Sequence, residues 1–144
     1  MNKLAFILFV LALNYSCSRN LNDYEKINHF LVNKLDYNDL RSQDFLIVIN
    51  EMGTCMNCNN SFSKYMSKYI DSEKVLFLIC SSGSRIDISM YLNSEENLIL
   101  YDMHNDFSEL NLINQSGIFK LKDEKIDTLI KINVKNVIQN LEDL

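Results

Sequence analysis

Apolar and polar positions along the chain alternate with two different periods, and each period predicts a different kind of element. The apolar residues after Asp23 recur every three or four positions, which predicts an N-terminal helix over residues 23–40 with Asp23 as its N-cap. The same helical spacing returns after Cys58 and again near the end of the chain. The remaining predicted helical segments are 62–70, 86–92, 106–112 (a short helix or a turn) and 133–144.

Continuous or alternating apolar runs predict the strands. FLIVIN (45–50) and KVLFLIC (74–80) are apolar at almost every position, as in strands that are buried on both faces. NLILYD (97–102) predicts a third strand, and the alternating runs on either side of Asp123 and Glu124 predict a β-hairpin. This order predicts an α/β domain with a central mixed sheet, parallel in its early strands and ending in the hairpin, with helices on both faces.

Composition narrows the classes of function. The chain has 144 residues, 47% of them hydrophobic, which suits one domain with a buried core. The formal net charge is −5, and basic residues are interspersed with acidic ones. Because a sequence-independent nucleic-acid binder needs a basic surface to neutralise phosphates, we expect no nucleic-acid partner.

The first residues resemble the signal of a bacterial lipoprotein. Lys3 precedes the apolar run 4–13, which is shorter than the roughly 20 residues that span a bilayer. Ser16 and Cys17 resemble the lipobox, in which the cysteine is lipidated, although Asn14 stands where an aliphatic residue is usual. The resemblance implies a lipid-anchored protein of the cell envelope, facing the periplasm or in the outer membrane; ordinary secretion and a retained anchor are the alternatives. The implied segments are a signal peptide (1–16), a lipidated cysteine with a short tether (17–22) and one domain (23–144).

The stretch EMGTCMNC contains the candidate chemistry. Cys55 and Cys58 follow a predicted buried strand and begin a predicted helix, where free N–H groups and the helix dipole stabilise a thiolate. Cys58 continues the apolar stripe of that helix, so we expect it to face the core and Cys55 to face outward. Cys55 is therefore the candidate nucleophile and Cys58 the candidate resolving thiol.

From about residue 44 onward, the chain resembles the thioredoxin-like fold and, within it, the redoxin group of envelope thiol–disulfide oxidoreductases. Three segments carry the resemblance: FLIVINEMGTCMNC, NLILYDMHNDFSEL and GIFKLKDEKIDTLIKI. The resemblance implies a three-layer domain that exchanges thiols and disulfides with envelope proteins through Cys55 and Cys58. It implies no requirement for an organic cofactor or a metal.

Several positions depart from that family and mark candidate supporting residues. The family has a cis-proline facing the cysteines, whereas this chain contains no proline and has Ser116 and Gly117 at about that place, so we expect a trans loop. Thr54 replaces the aromatic residue that usually precedes the first cysteine. Ile49 stands where thioredoxins bury an acid, so proton transfer at Cys58 would need Glu51 or water.

Other roles compete with redox activity. A static Cys55–Cys58 disulfide would make the domain a non-enzymatic interaction module. The absence of the proline and the absence of the buried acid both favour that alternative. Zinc is disfavoured because the chain has no second C-x-x-C and no H-x-x-x-H pair, and a peroxidase-like role because no arginine lies near the motif in sequence. We expect Cys80 to be a core residue and His104 to be solvated.

Overall fold

The computed structural model describes residues 21–81 and 98–132. The helices in these ranges are α1 (Asp23–Leu35) and α2 (Met56–Met66), and the strands are β1 (Phe45–Asn50), β2 (Val75–Cys80), β3 (Ile99–Asp102), β4 (Gly117–Lys122) and β5 (Lys125–Lys131). Single 3-10 turns occupy Leu40–Ser42, Ser67–Tyr69 and Asp106–Leu110. The predicted signal peptide, the Cys17 tether up to residue 20 and the predicted helices 86–92 and 133–144 lie outside the described residues.

The strands form one mixed sheet in the order β3-β2-β1-β4-β5. β1, β2 and β3 are parallel neighbours, whereas β4 runs antiparallel to β1 and forms a hairpin with β5. The turn residues Asp123 and Glu124 have φ angles of 49° and 57°, as a two-residue hairpin turn requires. The predictions of an α/β fold, of early parallel strands and of a C-terminal hairpin are confirmed.

β1 and β2 occupy the middle of the sheet because their side chains are apolar on both faces. β1 is buried at five of its six positions and β2 at all six. Leu46 and Val48 pack in the core that contains α1, and Ile47 and Ile49 pack in the core that contains α2. Since side chains alternate along a strand, these two sets point to opposite faces of the sheet, and one helix covers each face.

α1 begins at Asp23, as predicted, but its N-cap differs from the predicted one. Its N-cap is Asn22 rather than Asp23, and the Asn22 side chain accepts a hydrogen bond from the Glu25 N–H at 2.8 Å. The Glu25 carboxylate accepts one from the Asn22 N–H at 2.9 Å. These reciprocal bonds form a capping box, which satisfies two backbone donors and fixes the helix start.

The end of α1 lies earlier than predicted. The helix stops at Leu35 instead of residue 40, because Asp36 takes a left-handed conformation with a φ of 53°. The Tyr37 N–H then donates back to the Leu31 carbonyl at 3.0 Å, which satisfies a carbonyl near the end of the helix. The apolar residue Leu40 is buried, but it belongs to a separate 3-10 turn.

None of the helices in the described ranges is long and apolar enough to cross a bilayer.

Phe107 joins the 3-10 turn after β3 to the α1 side of the sheet. It is 1% exposed, and its ring makes T-shaped contacts with Phe30 and Phe119 at centroid distances of 5.3 Å and 6.3 Å. We expect Phe107→Ala to lower the free energy of unfolding by about 3–5 kcal/mol through the lost contacts and the cavity. Denaturant titration measures this, with Val32→Ala on the exposed side of α1 as a control that should change stability by less than about 0.5 kcal/mol. A Phe107→Ala loss no larger than that of the control would contradict the packing described here.

Candidate functional site: a disulfide at a helix start

The site lies at the carboxyl edge of the three parallel strands. Asn50, Cys80 and Asp102, the last residues of β1, β2 and β3, are side by side in the sheet register. The loop after β1 leads to Cys55, which is the N-cap of α2 and has an extended backbone. Its sulfur accepts a hydrogen bond from the Cys58 N–H at 3.1 Å. The strand edge and the helix start therefore bring this sulfur to the positive end of the helix dipole.

Cys55 and Cys58 form a disulfide, with a Cα–Cα distance of 5.1 Å. Cys55 is exposed, whereas Cys58 is 7% exposed and lies in the same core as Phe62. The predicted orientation, Cys55 outward and Cys58 toward the core, is confirmed. A partner sulfur can thus reach Cys55 first; the nucleophilic and resolving roles stay predictions.

A buried polar network holds the helix start against the sheet. The Ser116 hydroxyl is fully buried, donates to Asn59 Oδ1 and accepts from the Asn50 N–H at 2.8 Å. Asn59 Nδ2 donates to the Asn50 carbonyl at 2.9 Å. The end of β1, the first turn of α2 and the residue before β4 are therefore joined by hydrogen bonds that are shielded from water, where such bonds are strong.

A second contact places the loop before Cys55 directly on the segment before β4. Thr54 Oγ1 accepts a hydrogen bond from the Ser116 N–H at 2.6 Å. A Cβ added to Gly53 would overlap the Asn114 carbonyl, so only glycine permits this backbone approach. Because the described residues contain no cis peptide bond, the Ser116–Gly117 bond is trans, as expected.

Gly117 allows β4 to begin in a confined space. A Cβ at this position would lie 2.5 Å from Ile113 Cδ1 and 2.6 Å from the Ile130 carbonyl oxygen. Of the four predicted supporting residues, Thr54 and Ser116 thus contact each other directly and Gly117 follows them in the chain. The hydrogen bonds described for Thr54 and Ser116 go to backbone and amide groups, so these two residues hold the loop in place.

Glu51, the fourth predicted supporting residue, is turned toward the end of β2. Its carboxylate bonds to the Ser81 hydroxyl, and its other oxygen, Oε1, is buried without a hydrogen-bond partner in the described part of the chain. The structure therefore shows no hydrogen bond from Glu51 to either cysteine within that part. Its role in proton transfer at Cys58 stays a prediction.

Cys80 and Cys58 lie in different cores, and His104 is on the surface. Cys80 is fully buried in the core that contains α1, whereas Cys58 lies in the core on the opposite face of the sheet. Burial and, after it, the neighbouring Asp102 carboxylate raise the pKa of the Cys80 thiol, which keeps it protonated and unreactive. His104 is exposed. The predictions of a core cysteine and a solvated histidine are confirmed.

Within residues 21–81 and 98–132, no three or more His, Cys, Asp or Glu side chains are grouped to hold a metal ion.

Sequence patterns did not identify Asn50, Gly53, Asn59 or Ser81 as parts of the site. Asn59 carried a usable signal, because it lies on the buried face of α2, three and seven positions before the apolar residues Phe62 and Met66. A polar residue on an apolar helix face needs a buried partner. Which partner it meets could not be read from the sequence, because Ser116 is 57 positions away.

Comparison of the chain with protein-family models, with curated proteins and with solved structures gives no match. The fold and the site together define a small α/β domain with a mixed five-stranded sheet and a C-x-x-C disulfide at a helix N-terminus. That arrangement is consistent with redox activity.

The network predicts a specific cost for removing the Ser116 hydroxyl. In Ser116→Ala, the Asn50 N–H loses its acceptor and Asn59 Oδ1 loses its donor, both inside the protein. We expect a loss of about 1–3 kcal/mol in the free energy of unfolding for each buried group left unpaired. Urea titration of the oxidised protein measures it. Ser61→Ala, on the exposed face of α2, is the matched control, and equal stability of the two variants would contradict the network.

Proposed function

We propose that this protein is a thioredoxin-like thiol–disulfide oxidoreductase that exchanges disulfides with proteins of the bacterial cell envelope. The observation that carries the proposal is the Cys55–Cys58 disulfide at the start of α2, with Cys55 exposed and Cys58 buried. A static clasp has no need of this asymmetry. A redox centre needs it, because one sulfur must meet the partner and the other must resolve the mixed disulfide.

The arrangement of elements supports the thioredoxin-like part of the proposal. Three parallel strands, an antiparallel hairpin and one helix on each face follow the order that the motif and the resemblance imply. The C-x-x-C stands between a buried strand and a helix, inside a β-α-β unit. In such a unit the motif is typical of dithiol redox proteins.

The exchange is a two-electron transfer with no external cofactor. A partner thiolate attacks Cys55 Sγ, the Cys55–Cys58 bond breaks, and Cys58 leaves as a thiolate that takes up a proton. The second partner thiolate then attacks the partner sulfur of the mixed disulfide, and Cys55 leaves as a thiolate. The partner dithiol has become a disulfide, and Cys55 and Cys58 have gained its two electrons. In the reverse direction, Cys55 attacks a partner disulfide and Cys58 resolves the intermediate.

The helix start favours the step in which Cys55 carries the charge. The Cys58 N–H already points at Cys55 Sγ at 3.1 Å, and a thiolate there gains from that donor and from the positive end of α2. Such an environment lowers the pKa of a cysteine from about 8.5 toward neutrality. A lower pKa makes Cys55 both a better leaving group and a larger fraction of attacking thiolate at neutral pH.

A second function, an interaction module with a structural Cys55–Cys58 disulfide, is favoured by one observation. The Ser116 N–H belongs to the loop that, in the family this chain resembles, holds a partner's extended backbone. Here that N–H is already bonded to Thr54 Oγ1. A domain that binds partners without chemistry could keep this loop closed permanently.

Trapping of partners separates the two functions. In the native host, Cys58→Ser should accumulate mixed disulfides through Cys55, visible on non-reducing gels and lost on reduction. Cys55→Ser is the matched control and should trap little, because the remaining Cys58 is 7% exposed. If Cys58→Ser captures nothing and the wild-type pair has a reduction potential below about −300 mV, the disulfide is structural and the oxidoreductase proposal fails.

The envelope location is part of the same proposal and has its own test. It is supported by the lipobox-like Ser16–Cys17 behind a short apolar run, and by a disulfide, which persists in oxidising compartments. We expect Cys17→Ala to move the protein from the membrane fraction to the soluble fraction of the host. Ser18→Ala serves as the control and should stay with the membrane. Membrane retention of Cys17→Ala would refute lipid anchoring.

A further inference from the structure

The chain enters the domain at the end of the sheet opposite the disulfide. Leu21 lies two residues before α1 and lines one surface groove with Arg41 and Glu124. Glu124 belongs to the β4–β5 turn, and its carboxylate pairs with the Arg41 guanidinium at 3.1 Å. The Leu121 N–H donates to the Asp44 carbonyl at 2.8 Å, which holds the end of β4 beside the start of β1. The entry point of the chain and the beginning of β1 therefore share one end of the domain.

The disulfide lies at the other end of the same strands. Thr54, which precedes Cys55, accepts a hydrogen bond from the Ser116 N–H, and Ser116 directly precedes β4. β4 then runs for six residues to Lys122, at the β4–β5 turn. Because a strand of this length rises about 20 Å, the loop that contains Cys55 and the turn beside Leu21 are separated by about 20 Å along the strands.

Helix α1 gives the same separation by an independent path. It begins at the end of the domain that carries Leu21, and its 13 residues make it about 20 Å long. Near its other end, Lys34 Nζ pairs with Asp106 Oδ2 at 3.0 Å. The Asp106 N–H in turn donates to Asp102 Oδ1 at 3.0 Å, at the end of β3. The helix therefore runs from the entry point toward the sheet edge that carries the disulfide.

Leu21 and Cys55 also belong to opposite faces of the sheet. Leu21 leads into α1 and Cys55 begins α2, and these two helices pack in different cores. A helix is about 10 Å wide and a sheet takes up about 10 Å between packed layers, so the two helix axes are about 20 Å apart. The entry point is thus distant from the exposed Cys55 in two directions.

The chain that would connect this entry point to the proposed lipid is short. Leu21 follows Cys17 by four positions, and a fully extended chain of that length spans at most about 14 Å. To bring Cys55 onto the bilayer surface, the domain would have to rest on its disulfide end or on α2. Either placement raises Leu21 about 20 Å above the surface, which is more than this connection can span.

We propose that the short connection to Cys17 makes the disulfide face away from the membrane, so that its partners are cysteines of water-exposed protein domains and not cysteines at the bilayer surface. This inference rests on the proposed disulfide exchange and on the proposed lipid anchor. A membrane-embedded partner meets Cys55 only if its cysteine lies on a segment that projects into the water. The length of the connection therefore selects partners by the distance of their sulfur from the membrane.

A disulfide attached to a lipid tests the inference. The full lipidated protein is purified from host membranes, reduced, freed of reductant and inserted into phosphatidylcholine vesicles that contain a lipid with a pyridyl disulfide on its headgroup. Cys55 attacks the lipid sulfur and thiopyridone leaves; Cys58 then attacks Cys55 Sγ and the lipid leaves as a thiol. The two leaving sulfurs gain the two electrons that the protein dithiol loses. Absorbance of thiopyridone gives the rate, and a water-soluble pyridyl disulfide is the second substrate.

We expect the wild-type protein to react readily with the soluble disulfide but at least about tenfold more slowly with the lipid disulfide than a variant with a longer connection. That variant carries about 12 Gly/Ser residues inserted between Asn20 and Leu21, which add a mean span of about 20 Å. The matched control, Arg19→Gly with Asn20→Ser, changes the composition of the connection at constant length and should react like the wild type.

A second control moves the thiol to the entry point. Leu21→Cys, in a chain that also carries Cys55→Ser and Cys58→Ser, should form a mixed disulfide with the lipid rapidly, because this position lies within reach of the bilayer surface. A rapid reaction shows that the lipid disulfide is accessible to a thiol held by the native connection.

The outcomes distinguish the inference from the proposals on which it rests. If the wild-type protein leaves the soluble disulfide intact, the exchange activity is absent and the inference fails with it. If the protein does not stay with the vesicles, the lipid anchor is absent and the inference fails for that reason. If it stays with the vesicles, reacts with the soluble disulfide and also reacts with the lipid disulfide as fast as the long variant, only the orientation is refuted.

Discussion

Strand β1 is the constraint on which the rest of the structure depends. It is the central strand, parallel to β2 on one side and antiparallel to β4 on the other. Its side chains enter both cores, and burying each aliphatic one stabilises the fold by about 1.5–3 kcal/mol before entropy is counted. Its pairing with β2 and the hydrogen bonds of Asn50 to Ser116 and Asn59 fix the position of this last residue.

The position of the cysteine pair depends on the end of β1. The Asn50 N–H and carbonyl are held by Ser116 and Asn59, and the Asn50 side chain accepts from the N–H groups of Met52 and Gly53 at 3.0 Å and 3.2 Å. One buried amide residue thus organises the loop toward Cys55, the first turn of α2 and the start of β4. Hydrophobic burial stabilises the sheet, and this short polar network fixes the positions of the two sulfurs relative to it.

The sequence predicted the helices and strands whose apolar residues recur with a regular period. The bounds of β1 and β4 coincide with the apolar runs, because a strand buried on one or both faces shows its pattern directly. The predicted N-cap of α1 was wrong by one residue, since Asn22 and Asp23 are both good N-caps. The spacing of Asn22 and Glu25, three positions apart, was the signal that would have decided it.

Local sequence patterns could not predict the hydrogen-bond network around the cysteines. Asn50 and Ser116 are 66 positions apart, and nothing in either neighbourhood specifies the other. The contacts of residues 116 and 117 explain why neither position holds a proline. A ring at residue 116 would remove the N–H that bonds to Thr54, and a ring at residue 117 would meet Ile113 and the Ile130 carbonyl. The loop before β4 is therefore organised by a buried hydroxyl, that of Ser116.

Gly53 brings the loop before Cys55 into direct backbone contact with the segment before β4. Its backbone lies against the Asn114 carbonyl with no side chain between them. The next residue along, Gln115, donates its side-chain amide to the Ile132 carbonyl at 2.7 Å, just beyond the end of β5. Residues 114 and 115 therefore tie the loop that positions Cys55 to the end of the edge strand, so one short segment is braced at both of its sides.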